Sequence, residues 1–166
     1  RPSMSEGFDL AVIGGGPAGS AAAITAARRG QRVLLVERGK FPRHKVCGEV
    51  VSAESLALLQ SLLSGCEGEQ VLTQAPRISQ TRVFLPAGGF EAPIDPLAAS
   101  IARFDLDRAL WSAATAAGVV TRQDCGNCSI CRQEDGFEIS SKDWSEVCGR
   151  VVLATGRDPQ RPAPED

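Results

Sequence analysis

Three glycines at fixed spacing, Gly14, Gly16 and Gly19, are the residues of this sequence whose types and positions best suit a specific chemistry. They form a Gly-x-Gly-x-x-Gly turn. In such a turn the first glycine permits a tight bend, the second lets the backbone approach a pyrophosphate, and the third lets helix and strand pack closely. Amides at the start of the following helix also favour anions. The triplet alone could be a plain turn, so its meaning depends on its surroundings.

The segments on either side of the turn supply the context that the motif requires. The apolar run 9–13 predicts a strand buried on both faces, and the alanine-rich segment 18–29 predicts a helix closed by Gly30. The run 32–36 predicts a second buried strand. Because strand–helix–strand crossovers are almost always right-handed, we expect the two strands to lie parallel and adjacent.

Glu37 ends the second predicted strand, 23 residues after the first glycine of the turn. An acid about 20 residues beyond that glycine typically accepts hydrogen bonds from ribose hydroxyl groups. A carboxylate at this place repels a 2′-phosphate, which argues against NADP. The residues therefore predict a Rossmann unit that holds the ADP half of a dinucleotide.

The remainder of the chain predicts more helices and strands of one α/β domain. Helices are expected at 53–63, capped by Ser52, and at 105–117, closed by Gly118. Extended segments are expected at 77–86, 89–94, 119–122, 129–132, 137–140 and 147–154.

Taken together, these elements predict an α/β fold, a Rossmann-type parallel sheet of the FAD/NAD(P)-binding class with a small β meander. The strand 147–154 is expected beside strand 9–13, on the side opposite the strand that ends in Glu37. A loop is expected at 41–48 and a polar connection at 64–76, and the proline-containing tail 158–166 is expected to fray.

Several longer motifs resemble known flavoproteins. Residues 9–19 resemble the start of two-dinucleotide-binding-domain flavoproteins of the glutathione-reductase and hydroxybenzoate-hydroxylase type, and 151–156, closing in Ala-Thr-Gly, resembles their second signature. The segment 41–49 resembles the Pro-Arg-x-Lys-x-Cys-Gly motif of the geranylgeranyl reductase family. The segment from Arg103 to Leu110 resembles the Arg-x-x-x-Asp-x-x-Leu element of the same family. The resemblance covers nearly the whole chain.

This resemblance implies that the cofactor is FAD, bound in an extended form, and it gives each matching position a role. Ala18 and its neighbours would hold the pyrophosphate, and Glu37 the adenosine ribose. Arg43 and Arg103 would lie near the phosphates and the ribityl chain, to which a guanidinium is suited, with solvated surface charges as the alternative. The implied cofactor-binding residues are Gly14, Gly16, Pro17, Ala18, Gly19, Glu37, Arg38, Arg43, Cys47, Gly48, Arg103, Asn127, Thr155 and Gly156.

The resemblance also places Cys47 and Gly48 near the flavin and gives the segment around Asn127 backbone contacts to adenine. Cys47 is a candidate for a redox-active thiol, with a small buried residue as the alternative. The single histidine, His44, is predicted to be a surface loop residue rather than a base.

The function implied by the resemblance is that of the FAD-binding part of a flavin-dependent oxidoreductase. The expected chemistry is double-bond reduction or related hydride transfer on a hydrophobic substrate, an isoprenoid being one candidate, with a nicotinamide or another electron donor. Two alternatives stay open: a truncated, non-catalytic nucleotide-binding module, and an NAD-dependent enzyme, which the Ala-Thr-Gly and Cys-Gly resemblances disfavour.

Members of the family continue beyond Ala-Thr-Gly through a Gly-Asp motif and most of a substrate domain. We therefore expect residues 1–166 to be an incomplete FAD-binding domain, with strands of the substrate domain inserted at 73–95. Such a chain is expected to bind FAD weakly and to lack reductase activity on its own.

Three cysteines separated by two-residue gaps, Cys125, Cys128 and Cys131, could in principle ligate a metal or an iron–sulfur centre. The later Cys148 lies seventeen residues on, which is not a usual ligand spacing. The segment also falls where short strands are expected, and successive strand side chains point to opposite faces. We therefore predict free thiols and no metal.

Composition excludes several other classes of protein. The 166 residues suit one domain, and the net charge of −2 provides no overall basic field for nucleic acid or anionic lipid. Apolar runs are too short to span a bilayer, and the N-terminus has no signal-peptide core. We expect a cytoplasmic protein whose six cysteines are reduced.

Overall fold

The computed structural model describes residues 7–47 and 49–156 of the chain. It begins with strand β1 (Phe8–Ile13), helix α1 (Pro17–Arg28) and strand β2 (Val33–Val36). β1 and β2 are parallel neighbours, with Val12 opposite Leu35. The predicted strand–helix–strand unit is confirmed. The predicted tail 158–166 lies outside the described residues.

The main sheet has six strands in the order β6-β2-β1-β9-β8-β7. Strand β6 (Val120–Arg122) pairs in parallel with β2, and β9 (Trp144–Leu153) pairs in parallel with β1 on its other side. Strands β7 (Ser129–Gln133) and β8 (Gly136–Ser141) add an antiparallel meander at the β9 edge. The predicted fold class and the predicted order of the three strands β2, β1 and β9 are therefore confirmed. β9 starts earlier than expected because its first residues pair with β8 in a hairpin.

A second sheet has three antiparallel strands in the order β3-β5-β4. They are β3 (Val50–Val51), β4 (Arg77–Leu85) and β5 (Gly88–Ser100). β5 extends beyond the predicted 89–94. Its pairing with β4 is interrupted where residues 94–97, which include a proline, lie opposite the single residue Ser79, and it resumes at Ala98. That this sheet belongs to a substrate domain stays a prediction.

The polar connection 64–76 contains short helical elements that its sequence pattern does not predict. It contains a 3-10 turn (Glu67–Glu69) and a short helix α3 (Gln70–Thr73). The carboxylate of Glu69 accepts the backbone N–H of Gly65 at 3.1 Å, and Leu72 is buried. One buried leucine in a polar segment is too weak a periodic signal to predict a helix.

Three longer helices pack together on one face of the parallel sheet. They are α1, α2 (Ala53–Leu63) and α4 (Arg103–Ala116), and Ser52 caps α2 as predicted by accepting the Ser55 N–H. Fully buried Ile24, Leu35, Leu63 and Leu110 belong to this core. A smaller apolar cluster covers the opposite face of the sheet. Within 7–47 and 49–156, no helix combines the length and apolar character needed to cross a bilayer.

Candidate dinucleotide-binding site

A cleft of about 570 Å³ opens where the carboxyl ends of β1, β2 and β9 meet the start of α1. Ligands of open parallel sheets bind at this edge, and the volume lies within the usual range for small-molecule sites. The residues that line it are Ile13, Gly14, Gly16, Pro17, Ala18, Val36, Glu37, Arg38, Arg43, Lys45, Val46, Cys47, Arg103, Gly126, Cys128, Ile130, Leu153, Ala154, Thr155 and Gly156.

Most of the predicted cofactor-binding residues come together in this cleft, and two of those that the structure describes do not line it. Gly19 packs beneath the turn. Asn127 lines a neighbouring cleft of about 700 Å³ at the end of β6, and Gly126 lines both clefts. Gly48 lies outside the described residues. The predicted contact of Asn127 with adenine stays a prediction.

The glycine turn divides into packed and open positions. Gly14 has a φ of +110°, and a Cβ added there would lie 2.3 Å from the carbonyl oxygen of Ala154. A Cβ on Gly19 would lie 1.8 Å from the carbonyl oxygen of Gly14. Gly16 differs, because the nearest atom to its added Cβ is Nη2 of Arg103 at 3.6 Å. Two glycines are therefore required by packing, whereas Gly16 leaves room above the start of α1.

Gly15 also has a packing role, which the sequence motif does not specify. A Cβ on Gly15 would lie 2.6 Å from the ring of Trp111 in α4. The Gly15 N–H donates a hydrogen bond to Oε2 of Glu37 at 2.9 Å. The turn is thus fixed to both α4 and the end of β2.

Glu37 is buried, and among the residues that the structure describes three donors hold its carboxylate. Oε2 accepts the Gly15 N–H and Nη2 of Arg43, both at 2.9 Å, and Oε1 accepts the Gly39 N–H at 3.1 Å. A carboxylate offers about four acceptor positions. One position on Oε1 therefore remains for a ribose hydroxyl, and this role of Glu37 stays a prediction.

The environment of Glu37 favours its ionised form. Burial alone would raise the pKa of this carboxyl, but the hydrogen bonds from the Gly39 and Gly15 amides and from Arg43 bring the pKa below its ordinary value of 4.5. The carboxylate is therefore charged at neutral pH, as an acceptor of ribose hydroxyls requires.

This lowered pKa predicts an acid-dependent stability. A group whose pKa falls on folding stabilises the protein fully above the unfolded value, here 4.5, and the stabilisation is lost as pH falls through the lower folded value. We expect the free energy of unfolding to decrease with pH below 4.5 more steeply for the wild type than for Glu37→Gln. Urea unfolding from roughly pH 3 to roughly pH 6 measures this. Parallel pH profiles for the two proteins would contradict it.

Two arginines share a buried carboxylate beside the turn. Nε and Nη2 of Arg103 donate to the two carboxylate oxygens of Asp107 at 2.7 and 2.8 Å, and Nη1 of Arg43 lies 3.4 Å from Asp107. The side chains of Arg43 and Arg103 are 16% and 22% exposed. The alternative of solvated surface charges is therefore wrong. The hydrogen bonds to Asp107 chiefly raise the pKa of the Arg103 guanidinium above its ordinary value.

Two aromatic rings, which pack against each other at a tilt, lie beside Arg43. Its guanidinium carbon lies 4.9 Å from the ring centre of Phe41, which lies 4.8 Å from the ring centre of Trp111. The sequence motifs do not indicate this aromatic pair or the role of Asp107. The spacing of Arg103 and Asp107, one helical turn apart, was the available signal for their pairing.

Cys47 is exposed at the cleft and interacts with the guanidinium of Arg103. The alternative interpretation of Cys47 as a small buried residue is therefore wrong. His44 is exposed in the same loop, as predicted, and its ring lies 4.8 Å from that of Phe104.

The closely spaced cysteines have free thiols. Only Cys131 lies in a strand, and Cys125 and Cys128 precede it in a loop, so the strand argument applies to one of the three. Burial and the neighbouring Cys125 raise the pKa of the Cys128 thiol to about 11, which disfavours the thiolate that a metal requires. No metal-binding cluster of three His, Cys, Asp or Glu occurs among the described residues. The absence of a metal stays a prediction.

The chain is similar in sequence to known flavin enzymes. Residues 9–59 match the model of the family described as FAD dependent oxidoreductase. Over 93% of its length the chain is 29% identical to menaquinone reductase of Mycobacterium tuberculosis. It covers 39% of that relative, so the chain spans about two fifths of the length of this curated protein.

Solved structures show the same fold. A myxobacterial chondrochloren halogenase, described as a variant of FAD-dependent halogenases, superposes with a TM-score of 0.76 at 25% identity over 92% of this chain and 38% of the halogenase. A variant of the halogenase PltM in complex with FAD superposes with a TM-score of 0.74 at 22% identity over 90% of this chain and 34% of the halogenase. The chain is therefore related to FAD-dependent oxidoreductases and has the fold of their FAD-binding portion.

Proposed function

We propose that the cleft binds FAD through its ADP half, and that the chain is the FAD-binding part of a flavin-dependent oxidoreductase. The open position above Gly16 carries this proposal. Packing fills the space around the other glycines of the turn, but a cradle without a Cβ remains at the start of α1, where backbone amides favour phosphate. Packing within the protein does not require glycine at this position, whereas a bound phosphate would.

Different residues of the cleft suit different parts of the cofactor. The turn and the first residues of α1, with Arg103 beside them, would hold the pyrophosphate. The remaining acceptor position of Glu37 would hold an adenosine ribose hydroxyl. Val46 and Leu153 are exposed apolar residues in the same cleft, which suits contact with the flavin ring. Bound FAD supplies hydride chemistry, and the protein supplies its orientation.

For the substrate we propose an isoprenoid with a carbon–carbon double bond, as in the geranylgeranyl reductase family. The similarity to a menaquinone reductase supports a prenylated quinone as the substrate of the native protein that contains this chain. Incubation of that protein with FAD, a reductant and menaquinone, followed by mass spectrometry after exposure to air, tests this. Reduction of the prenyl chain leaves two added hydrogen atoms that air does not remove. A product that reverts fully in air would contradict the substrate proposal.

Titration calorimetry with four ligands tests the cofactor. We expect FAD and ADP to bind, because both carry the adenosine diphosphate that the turn and Glu37 would contact. FMN, which has the flavin but no adenosine, should bind at least about tenfold more weakly than FAD, a difference of about 1.4 kcal/mol. NADP should also bind weakly because Glu37 repels its 2′-phosphate. Equal affinities for FMN and FAD would contradict the proposal.

A further inference from the structure

Asp107 is a buried carboxylate outside the lining of the cleft. It lies on α4 with no exposed surface, and its oxygens accept two hydrogen bonds from Arg103. Burying a carboxylate is costly unless it is paired and hydrogen-bonded, and here two guanidinium groups face it. A side chain so placed does not touch a ligand itself, but it fixes the groups that do.

Both arginines held by Asp107 line the cleft. Nη2 of Arg103 is the atom nearest to the open position above Gly16. Nε and Nη1 of Arg43 are buried and donate no hydrogen bond within the described part of the chain. Glu37 and Asp107 balance the two positive charges, so neither guanidinium needs a solvent counter-ion to stay in place.

We propose that Asp107 is a positioning residue for the diphosphate of the ligand, because its buried carboxylate holds the guanidinium groups of Arg43 and Arg103 against the open side of the glycine turn. This inference rests on the proposed function of the cleft. Asp107 acts through the arginines, so its effect should depend on the presence of phosphate in the ligand. It should also depend on the forked shape of the Arg103 guanidinium, which a lysine lacks.

The experiment is titration calorimetry of the wild type and Asp107→Asn with ADP and with adenosine. We expect Asp107→Asn to weaken ADP binding at least about tenfold and to change adenosine binding less than about twofold, since adenosine has no phosphate. Asp105→Asn is the matched control. Asp105 lies on the same helix, has a side chain that is 47% exposed and pairs with Arg108 at 3.6 Å, so both affinities should stay at wild-type values.

A second variant keeps the test valid if Asp107→Asn does not fold. Arg103→Lys keeps the charge but loses the two-pronged pairing, and it should lower ADP affinity as much while sparing adenosine. Equal losses for ADP and adenosine in a folded variant would show a merely structural role and overturn the inference, as would unchanged ADP affinity in either variant. A wild type that does not bind ADP would instead overturn the proposed function, and this inference with it.

Discussion

Replacing Gly16 with valine is expected to lower the affinity for ADP and FAD at least about a hundredfold while leaving the fold intact, a loss of about 2.7 kcal/mol of binding free energy. Gly16 has a φ of −72° and a ψ of −176°, which valine adopts readily. Its added Cβ would meet only the far end of Arg103 at 3.6 Å. The branched side chain would therefore occupy ligand space without disturbing the protein.

Titration calorimetry and thermal unfolding of the same sample measure the two parts of this expectation. Thr25→Val is the control, because it places valine at an exposed position of α1 that does not line the cleft. It should bind as the wild type does. A Gly16→Val protein that keeps wild-type affinity would show that the glycine turn is not the binding site.

Gly14→Val is expected to destabilise the fold by about 2–4 kcal/mol, combining backbone strain with a steric overlap. The φ of +110° is a conformation that valine does not adopt without strain. The added Cβ would also lie 2.3 Å from the backbone of Ala154, so the ends of β1 and β9 would have to separate.

Urea unfolding measures the loss, and Gly16→Val is the matched comparison within the same turn. The midpoint of thermal unfolding should fall by roughly 5–15 °C for Gly14→Val. It should move less than about 2 °C for Gly16→Val. Equal stability losses for the two variants would contradict the division of the turn into packed and open positions.

The part of the fold nearest the turn could be predicted because its signals are local. The apolar run 9–13, the alanine-rich helix and Glu37 each carry their own pattern, and chirality then fixes how they pack. The order of the three strands β2, β1 and β9 follows from the same unit together with the buried-strand pattern of 147–154.

The rest depended on contacts between distant segments. Asp107 is buried because α4 lies beside the loop that carries Arg43. The hydrophobic periodicity of the sequence does not predict this contact between distant segments. The length of β5 depends on an irregularity that absorbs a proline opposite Ser79. The roles of the cleft residues, the cytoplasmic location and the absence of a metal stay predictions.

The glycine turn is proposed to bind the diphosphate of a dinucleotide. Nuclear magnetic resonance of the amide groups with and without ADP tests it most directly. The amide signals of Gly16, Ala18 and Gly19 should shift on addition of ADP, while those of Gly68 and Ser112, in another cleft of the surface, should not. Shifts at Gly68 and Ser112 with unchanged signals at the turn would show that ADP does not bind at the glycine turn.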